Sequence, residues 1–324
     1  MRNVLITGGL GYVGGRVASY LRQTGEYGSI WITTRDSARM LPSWSKEFGV
    51  LELDILDQQS IARCFSDIDV DIIVHLAAMN EIESLKSPDE ALAVNTVGTY
   101  NLLDWARKNH LHGFIYFSTF HVYGETSNSI ITENTLTRPS HPYAITHRAA
   151  EDFVRFGNRY YGLRSLVLRL SNAYGYPMHK EVNRWTLVFN DLCRQAVVNG
   201  RIVLQSSGKQ HRDFIALHDV ARAVHHFISR GPESWGDETY NLGGNCSMSI
   251  LDVARKIADV YDDQYGDRRI EIEVGEECKN ARWHTPIQYN IDKVACSGFQ
   301  PEGDLEFEIG RTMQVCEGFA DART

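Results

Sequence analysis

The chain has 324 residues, of which 43% are hydrophobic and 23% charged, and its formal net charge is −8. Such a length supports one large domain or two closely joined ones with a sizeable buried core. The acidic balance argues against a basic surface for non-specific binding of nucleic acid. Because no apolar run reaches the length of a membrane span and no signal peptide precedes the first strand candidate, we expect a cytoplasmic protein with no membrane partner.

The cysteines show neither the spacing of a metal site nor that of a disulfide framework. None of them forms a C-x-x-C pair; they are Cys64, Cys193, Cys246, Cys278, Cys296 and Cys316. Scattered cysteines of this kind are typical of reduced thiols, so we predict neither disulfides nor a bound metal.

Short apolar runs alternate with amphipathic stretches through the first half of the chain. The strand candidates are residues 4–6, 30–32, 50–53, 71–74, 113–117 and 165–169, and the clearest helices are 12–23, 91–108 and 144–160. This alternation predicts an α/β fold with a doubly wound parallel sheet. The strand candidates are nearly continuous in apolar residues, which is typical of a sheet with helices on both faces.

The alternation weakens after residue 172, although a strand and a helix return at 214–228 and another strand at 239–242. We therefore predict a first domain of residues 1–172, completed by a segment of about 213–244 that folds back onto it. Residues 173–212 and 245–324 are predicted to form a smaller, mixed C-terminal substrate-binding lobe.

A glycine-rich turn links the first strand candidate to the first helix. Gly8, Gly11 and Gly14 are spaced G-x-x-G-x-x-G, and Tyr12 and Val13 open the helix. Glycine allows a tight turn and a close approach of the backbone to a diphosphate, and the helix N-terminus offers free N–H groups to the anion. The strand–loop–helix context predicts a dinucleotide site at this turn.

Together with later segments, this loop resembles the extended short-chain dehydrogenase/reductase superfamily, whose members include nucleotide-sugar epimerases, dehydratases and reductases. The resemblance spans almost the whole chain and implies a Rossmann-type fold that binds NAD(P). It also implies cofactor contacts from three further segments, which contain Asp54 and Ile55 at the adenine, the loop residues Leu76, Ala77 and Ala78, and Asn95 on a central helix.

The end of the second strand bears on the choice of cofactor. NAD enzymes usually carry an acidic residue there for the ribose hydroxyls, whereas an arginine suits the 2′-phosphate of NADP. Here Arg35 and Arg39 follow the strand candidate, and no acidic residue stands at its end. We therefore favour NADP, while a shift of two residues would make Asp36 the ribose ligand and favour NAD.

The resemblance also implies the catalytic groups. Tyr143 matches the superfamily's general acid/base, and Thr119 matches the residue that shares its hydrogen bond. His147 lies one helical turn after Tyr143, where the superfamily has a lysine. A lysine cation lowers the pKa of the tyrosine, whereas a free histidine is mostly neutral at pH 7. We expect an active site in which Tyr143 and His147 contact the cofactor and the pKa of Tyr143 is lowered less than it is beside a lysine.

Three residues match superfamily positions that hold the diphosphate of the substrate: Asn172, Arg212 and Arg282. A guanidinium group has the planar geometry that suits phosphate oxygens. The resemblance therefore implies that these residues, with Thr119 and Tyr143, bind a nucleotide-linked sugar.

The residues after Thr119 separate the possible reactions. Sugar 4,6-dehydratases of the superfamily have acidic residues there, but this chain has Phe120 and His121. The first hypothesis is therefore an oxidoreductase that reduces a nucleotide-linked 4-keto sugar. The second is a 4-epimerase with tightly bound NAD, and the third, motivated by His147, is a catalytically silent NAD(P)-binding protein. The resemblance further implies a homodimer formed through the helices at 91–108 and 144–160.

Overall fold

The computed structural model describes residues 1–36, 40–125, 130–235, 239–266, 269–276 and 288–320. Two residues predicted to bind ligands, Arg39 and Arg282, lie outside the described residues. The chain folds into two compact units. The first unit is Met1–Ser127, Glu133–Leu170 and Ala221–Leu242, and the second unit is Asn128–Thr132, Ser171–Val220 and Gly243–Thr324.

The strands and helices are numbered along the chain. The strands are β1 (Arg2–Thr7), β2 (Tyr27–Thr34), β3 (Gly49–Glu52), β4 (Ile72–His75), β5 (Gly113–Thr119), β6 (Ile130–Ile131), β7 (Ser165–Leu170), β8 (Asn172–Tyr174), β9 (Arg201–Leu204), β10 (His211–Ala216), β11 (Thr239–Leu242), β12 (Ser247–Ser249), β13 (Glu271–Val274) and β14 (Gln288–Tyr289). The helices are α1 (Tyr12–Thr24), α2 (Gln58–Cys64), α3 (Glu81–Lys86), α4 (Pro88–Ala91), α5 (Thr99–Lys108), α6 (Pro142–Tyr161), α7 (Val188–Asn199), α8 (Leu217–Arg230), α9 (Ile250–Tyr265), α10 (Asp292–Cys296) and α11 (Leu305–Ala320). A π-helical stretch (Leu92–Gly98) joins α4 to α5.

The first unit is built on a seven-stranded parallel sheet in the order β11-β7-β5-β4-β1-β2-β3. The strand order reverses between β1 and β4, and such a reversal opens a crevice at the carboxyl ends of the strands where ligands bind. Val4, Leu5 and Ile6 of β1 are completely buried, as expected for a strand in the middle of a covered sheet. The prediction of a Rossmann-type doubly wound sheet is confirmed.

The second unit is mixed and carries smaller sheets. β8 pairs in parallel with β10, and β12 adds to β10 in the antiparallel sense. Helices α7, α9 and α11 enclose a core that includes Phe189, Ile257 and Met313. The segment that returns to the first unit is Ala221–Leu242, so the strand β10 and the beginning of α8 belong to the second unit. In the described parts of the chain, no helix combines the length and the apolar character needed to cross a membrane.

Helix α6 has clear start and stop signals. Pro142 occupies its first turn, and the Nδ1 atom of His141 accepts a hydrogen bond from the backbone N–H of Tyr143. Proline suits this position because its missing N–H would have no partner inside the helix. The helix ends at Gly162, whose φ of 65° is the left-handed conformation typical of a glycine cap.

A buried ion pair fixes α6 to the sheet. Glu151 is completely buried, and Arg169 on β7 donates to its two carboxylate oxygens, from Nε at 2.9 Å and from Nη2 at 2.7 Å. Ser118 on β5 donates to the same carboxylate at 2.6 Å, and the partly exposed Arg155 reaches it at 3.3 Å. The carboxylate therefore ties α6 to two strands at once.

We expect Arg169→Met to lower the free energy of unfolding by about 3 kcal/mol, because it leaves the buried Glu151 carboxylate with the more distant and partly exposed Arg155 and Arg148, at 3.3 and 3.9 Å, for compensation. Urea denaturation measures the change. The matched control is Arg201→Met, which breaks an exposed pair with Glu273 at 3.0 Å and should cost at most about 1 kcal/mol. Equal stability of the two variants would show that the buried pair does not anchor α6.

Candidate active site

The glycine turn has the geometry that a diphosphate requires. Gly8 has a φ of 66°, and a Cβ atom at Gly14 would lie 2.3 Å from the carbonyl oxygen of Gly8, a distance that no side chain tolerates. Helix α1 then starts at Tyr12, and its cap residue Gly11 offers no side-chain acceptor to the first N–H groups. No acidic residue lies in this first turn. The turn therefore fits the diphosphate of a dinucleotide, which would complete the helix N-terminus.

One hydroxyl group connects the glycine turn to the loop after β4. The Thr7 Oγ1 atom accepts from the backbone N–H groups of Leu76 and Ala77, both at 3.1 Å, and lies 2.6 Å from His75 Nδ1. Thr7 therefore donates its own proton to that nitrogen, and the proton of the neutral imidazole sits on Nε2, 3.0 Å from Thr99 Oγ1. Burial, with a smaller contribution from His147, lowers the pKa of His75 to about 3, so the ring stays neutral.

The same network reaches α6 through Asn95. The Thr99 hydroxyl donates to the backbone oxygen of Asn95 at 2.7 Å, and the side chain of Asn95 donates to Thr146 Oγ1 at 3.0 Å. The Asn95 side-chain oxygen accepts from Met79 N at 2.7 Å. Asn95 is thus buried and joins the loop after β4 to the helix that carries the candidate catalytic residues.

The other predicted cofactor residues belong to later segments of the first unit. Arg35 directly follows the last residue of β2, so no acidic residue stands at the strand end, and its side chain is exposed. Asp54 is exposed and its carboxylate caps the following turn by accepting from Leu56 N at 2.9 Å. Ile55 is buried against Gly98 of the π-helical stretch, and Ala78 is exposed.

The three predicted catalytic residues lie on adjacent elements. Thr119 ends β5, and Tyr143 and His147 lie one turn apart on α6 with ring centroids 4.5 Å apart in an edge-on arrangement. Phe120 and His121 follow Thr119 in a short 3-10 turn, and the His121 ring lies 6.3 Å from the Tyr143 ring. Tyr143 is only half-buried, so it remains accessible for proton transfer.

Two partners in this site were missed by the sequence analysis. The hydroxyl of Tyr116 lies 2.7 Å from His147 Nδ1, and Ser118 bonds to Glu151 on the same helix. Two residues along a strand and four residues along a helix both span roughly 6 Å. The spacing of Tyr116 and Ser118 on β5 therefore matches that of His147 and Glu151 on α6. The sequence signal for both contacts was the pair Tyr116 and Ser118, two residues apart on a mostly apolar strand.

The second unit holds the other described candidates. The side-chain amide of Asn172 on β8 donates to the backbone oxygen of Asp213 on β10 at 2.9 Å. Arg212 on the same strand is half-buried, and this burial lowers the pKa of its guanidinium. No carboxylate among the described residues forms an ion pair or hydrogen bond with Arg212, which leaves a cation suited to an anionic ligand.

Asp213 uses its carboxylate to close a turn within the second unit. Oδ1 accepts from Gly244 N and Oδ2 from Cys246 N, both at 3.1 Å. Burial outweighs these hydrogen bonds and raises the pKa of Asp213 to about 6. Across the residues that the structure describes, no group of three or more His, Cys, Asp or Glu side chains is arranged to hold a metal ion.

Comparison with known proteins gives consistent matches along the chain. The model of the NAD dependent epimerase/dehydratase family matches residues 4–243. A dTDP-glucose 4,6-dehydratase of Escherichia coli is 30% identical over 96% of this chain and 92% of its own length, and one of Salmonella typhimurium is 32% identical over 80% and 77%.

Solved structures share the fold at lower identity. The UDP-glucose 4-epimerase of Thermotoga maritima, solved with UDP-glucose, has a TM-score of 0.81 at 23% identity and covers 98% of this chain and 99% of its own. The RMD protein of Pseudomonas aeruginosa, solved with NADPH, has a TM-score of 0.78 at 21% identity and covers 98% and 100%.

Asp213 should make stability depend on pH in the direction opposite to that of a salt-bridged acid. Its folded pKa of about 6 exceeds the unfolded value of roughly 3.9, so the native state binds more protons between these values and stability falls as pH rises through them. We expect the stability of the wild-type chain relative to Asp213→Asn to fall by up to about 3 kcal/mol from pH 4 to pH 6.5.

Urea unfolding of both proteins at several pH values measures this difference. The amide removes an acceptor at every pH, so only the slope of the difference is informative. A difference that stays constant with pH would show that folding does not change the pKa of Asp213.

Proposed function

Because the chain belongs to the NAD-dependent epimerase/dehydratase family, we propose that it transfers a hydride between a nicotinamide cofactor and a nucleotide-linked sugar. The net reaction we propose is the reduction of a nucleoside-diphosphate 4-keto sugar to the alcohol. When bound, the nicotinamide supplies the hydride. The residues of the chain bind and orient the reactants and deliver the proton that the new alcohol needs.

Tyr143 is the proposed proton donor. Reduction of a ketone adds a hydride to carbon and a proton to oxygen, so a donor must lie beside the carbonyl oxygen. Tyr143 is half-buried at the start of α6, and the Thr119 hydroxyl is the proposed second hydrogen bond to the same oxygen. The glycine turn at Gly8–Gly14 holds the diphosphate of the cofactor, and His147 binds the nicotinamide ribose.

The observation that carries this proposal is the pair of residues after Thr119. Loss of water from a sugar needs a base to remove a carbon-bound proton and an acid to protonate the departing hydroxyl. Phe120 and His121 fill these positions, their ring centroids 4.9 Å apart, and neither provides a carboxylate. Hydride transfer without elimination therefore fits this chain better than the reaction named for its 4,6-dehydratase relatives.

Arg212 is the proposed ligand of the substrate's diphosphate. It is a half-buried cation that forms no ion pair among the described residues, and a diphosphate would compensate the cost of its burial. Asn172 lies on the neighbouring strand, paired with Phe214. Arg282, which lies outside the described residues, is proposed as a second cationic ligand on the basis of its sequence position alone.

For the cofactor we propose NADPH, because Arg35 directly follows β2 and no acidic residue ends the strand. The family description names NAD, and this favours a second candidate function, 4-epimerisation. An epimerase must retain its hydride through the cycle and therefore holds its cofactor tightly. The identity and retention of the cofactor separate the two candidates.

We expect the purified protein to consume one equivalent of NADPH per nucleotide-linked 4-keto sugar and to yield a product heavier by two hydrogens. Mass spectrometry of the product and of any dinucleotide released on denaturation measures both. A nucleotide sugar with a C4 hydroxyl is the second substrate. NAD bound through purification and a C4 epimer of unchanged mass, separated by chromatography, would favour the epimerase, and a product lighter by one water would establish a dehydratase.

Variants on α6 provide the control for this experiment. Tyr143→Phe should lower kcat by about 10²- to 10⁴-fold because it removes the proton donor. Tyr160→Phe changes an exposed residue at the far end of the same helix and should leave kcat unchanged. Absence of turnover across a panel of nucleotide sugars, with dinucleotide binding retained, would overturn the enzyme proposal and favour the catalytically silent NAD(P)-binding protein.

We propose a homodimer formed through α6 and the helices beside it. These helices of the first unit expose large apolar side chains, a pattern typical of an interface. The exposed residues are Ile82, Leu85, Leu92, Val97, Ile145 and Phe153. Helices α3 and α5 and the π-helical stretch all pack against α6, so these residues belong to one helical layer.

The double variant Val97→Glu/Phe153→Glu should convert the dimer to a monomer, because each glutamate would place an unpaired charge in the apolar interface. Light scattering after size exclusion measures the mass, and circular dichroism confirms that the fold is kept. Leu136→Glu, at an exposed residue outside these helices, is the matched control and should remain dimeric. A wild-type monomer at micromolar concentration would contradict the proposal.

A further inference from the structure

His147 has a polar partner that lies inside the sheet. The Tyr116 hydroxyl is 2.7 Å from His147 Nδ1, and the two residues are exposed by only 2% and 3%. Tyr116 belongs to the middle of β5, between Ile115 and Phe117, which are buried. A hydroxyl at such a depth loses its hydrogen bonds to water, so its bond to His147 must replace them.

The direction of this hydrogen bond follows from the surroundings of Tyr116. Burial, reinforced by the charge of Glu151, raises the pKa of Tyr116 well above its usual value, so the phenol keeps its proton. Among the described residues, His147 Nδ1 is the acceptor within reach of that proton. The phenol therefore donates and Nδ1 accepts. The opposite direction would leave the phenol proton buried without an acceptor.

We propose that Tyr116 is a positioning residue that holds His147 in the tautomer with its proton on Nε2. The inference rests on the proposed function, because its consequence concerns the cofactor. With Nδ1 occupied as an acceptor, the proton of the neutral ring lies on Nε2, at the opposite edge. His147 thus offers a hydrogen-bond donor to the nicotinamide ribose, as a lysine ammonium would, but carries no charge.

Three neighbours of His147 carry no unmatched negative charge. The Glu151 carboxylate, four residues later on α6, is already bound by Arg169 and Ser118. On β4, His75 is neutral. The π-helical stretch packed against α6 has no titratable side chain. A neutral His147 adds no positive charge beside the Tyr143 phenol, which in the proposed reduction is the proton donor to the keto oxygen.

The test is the tautomer of His147 measured by ¹⁵N NMR of histidine-labelled protein without cofactor at pH 7.5. His147→Gln identifies the His147 signals by their loss. In the wild-type chain the Nε2–H form should exceed the Nδ1–H form by about tenfold or more. In Tyr116→Phe the excess should fall towards the ratio of a free imidazole, and the dissociation constant for the dinucleotide should rise several-fold.

The matched control is Tyr240→Phe, which removes another buried hydroxyl bond, that of Tyr240 to Trp235 O at 2.6 Å. It should change neither the tautomer ratio nor the dissociation constant. A wild-type His147 that is cationic or protonated on Nδ1 would overturn the proposal, as would an unchanged tautomer ratio in Tyr116→Phe. The NMR readout needs neither cofactor nor substrate. If the predicted tautomer is observed but the protein shows no turnover, only the proposed function is refuted.

Discussion

The buried pair of Glu151 and Arg169 is the interaction on which the candidate active site depends. A carboxylate with no exposed surface is tolerable only if its charge is matched at close range, and Arg169 does this with two hydrogen bonds. Since Glu151 lies eight residues after Tyr143 on α6, the same pair fixes the height and rotation of the helix that carries the proposed proton donor. The position of Tyr143 therefore depends on an ion pair that takes no part in the proposed reaction.

A second constraint is the uncharged character of the site around His147. Tyr116 and His75 are neutral and buried, and the charge of Glu151 is matched by Arg169. A neutral interior of this kind favours the protonated form of a nearby phenol. In the proposed reduction Tyr143 is the proton donor, and this neutral environment keeps it in the protonated form that donates.

The sequence predicted those features that depend on short-range order. The glycine turn could be recognised because its three glycines, its strand and its helix are contiguous, and the parallel sheet because each buried strand is an apolar run. The partners of His147 and Glu151 could not be found in this way. Tyr116 and His147 are 31 residues apart, and Arg169 and Glu151 are 18 apart, so only the packing of α6 on β5 and β7 brings them together. The elevated pKa of Asp213 likewise results from burial in the second unit, which residue type does not reveal.

The Thr7 hydroxyl begins a continuous chain of hydrogen bonds that passes through His75, Thr99 and Asn95 to Thr146 on α6. Every member is buried, so opening one link exposes an unsatisfied polar group in the next. The glycine turn and the start of α6 therefore open together as one cooperative unit rather than separately. A diphosphate bound at the turn would consequently slow amide hydrogen exchange in α6 as well, although the helix itself would not touch it.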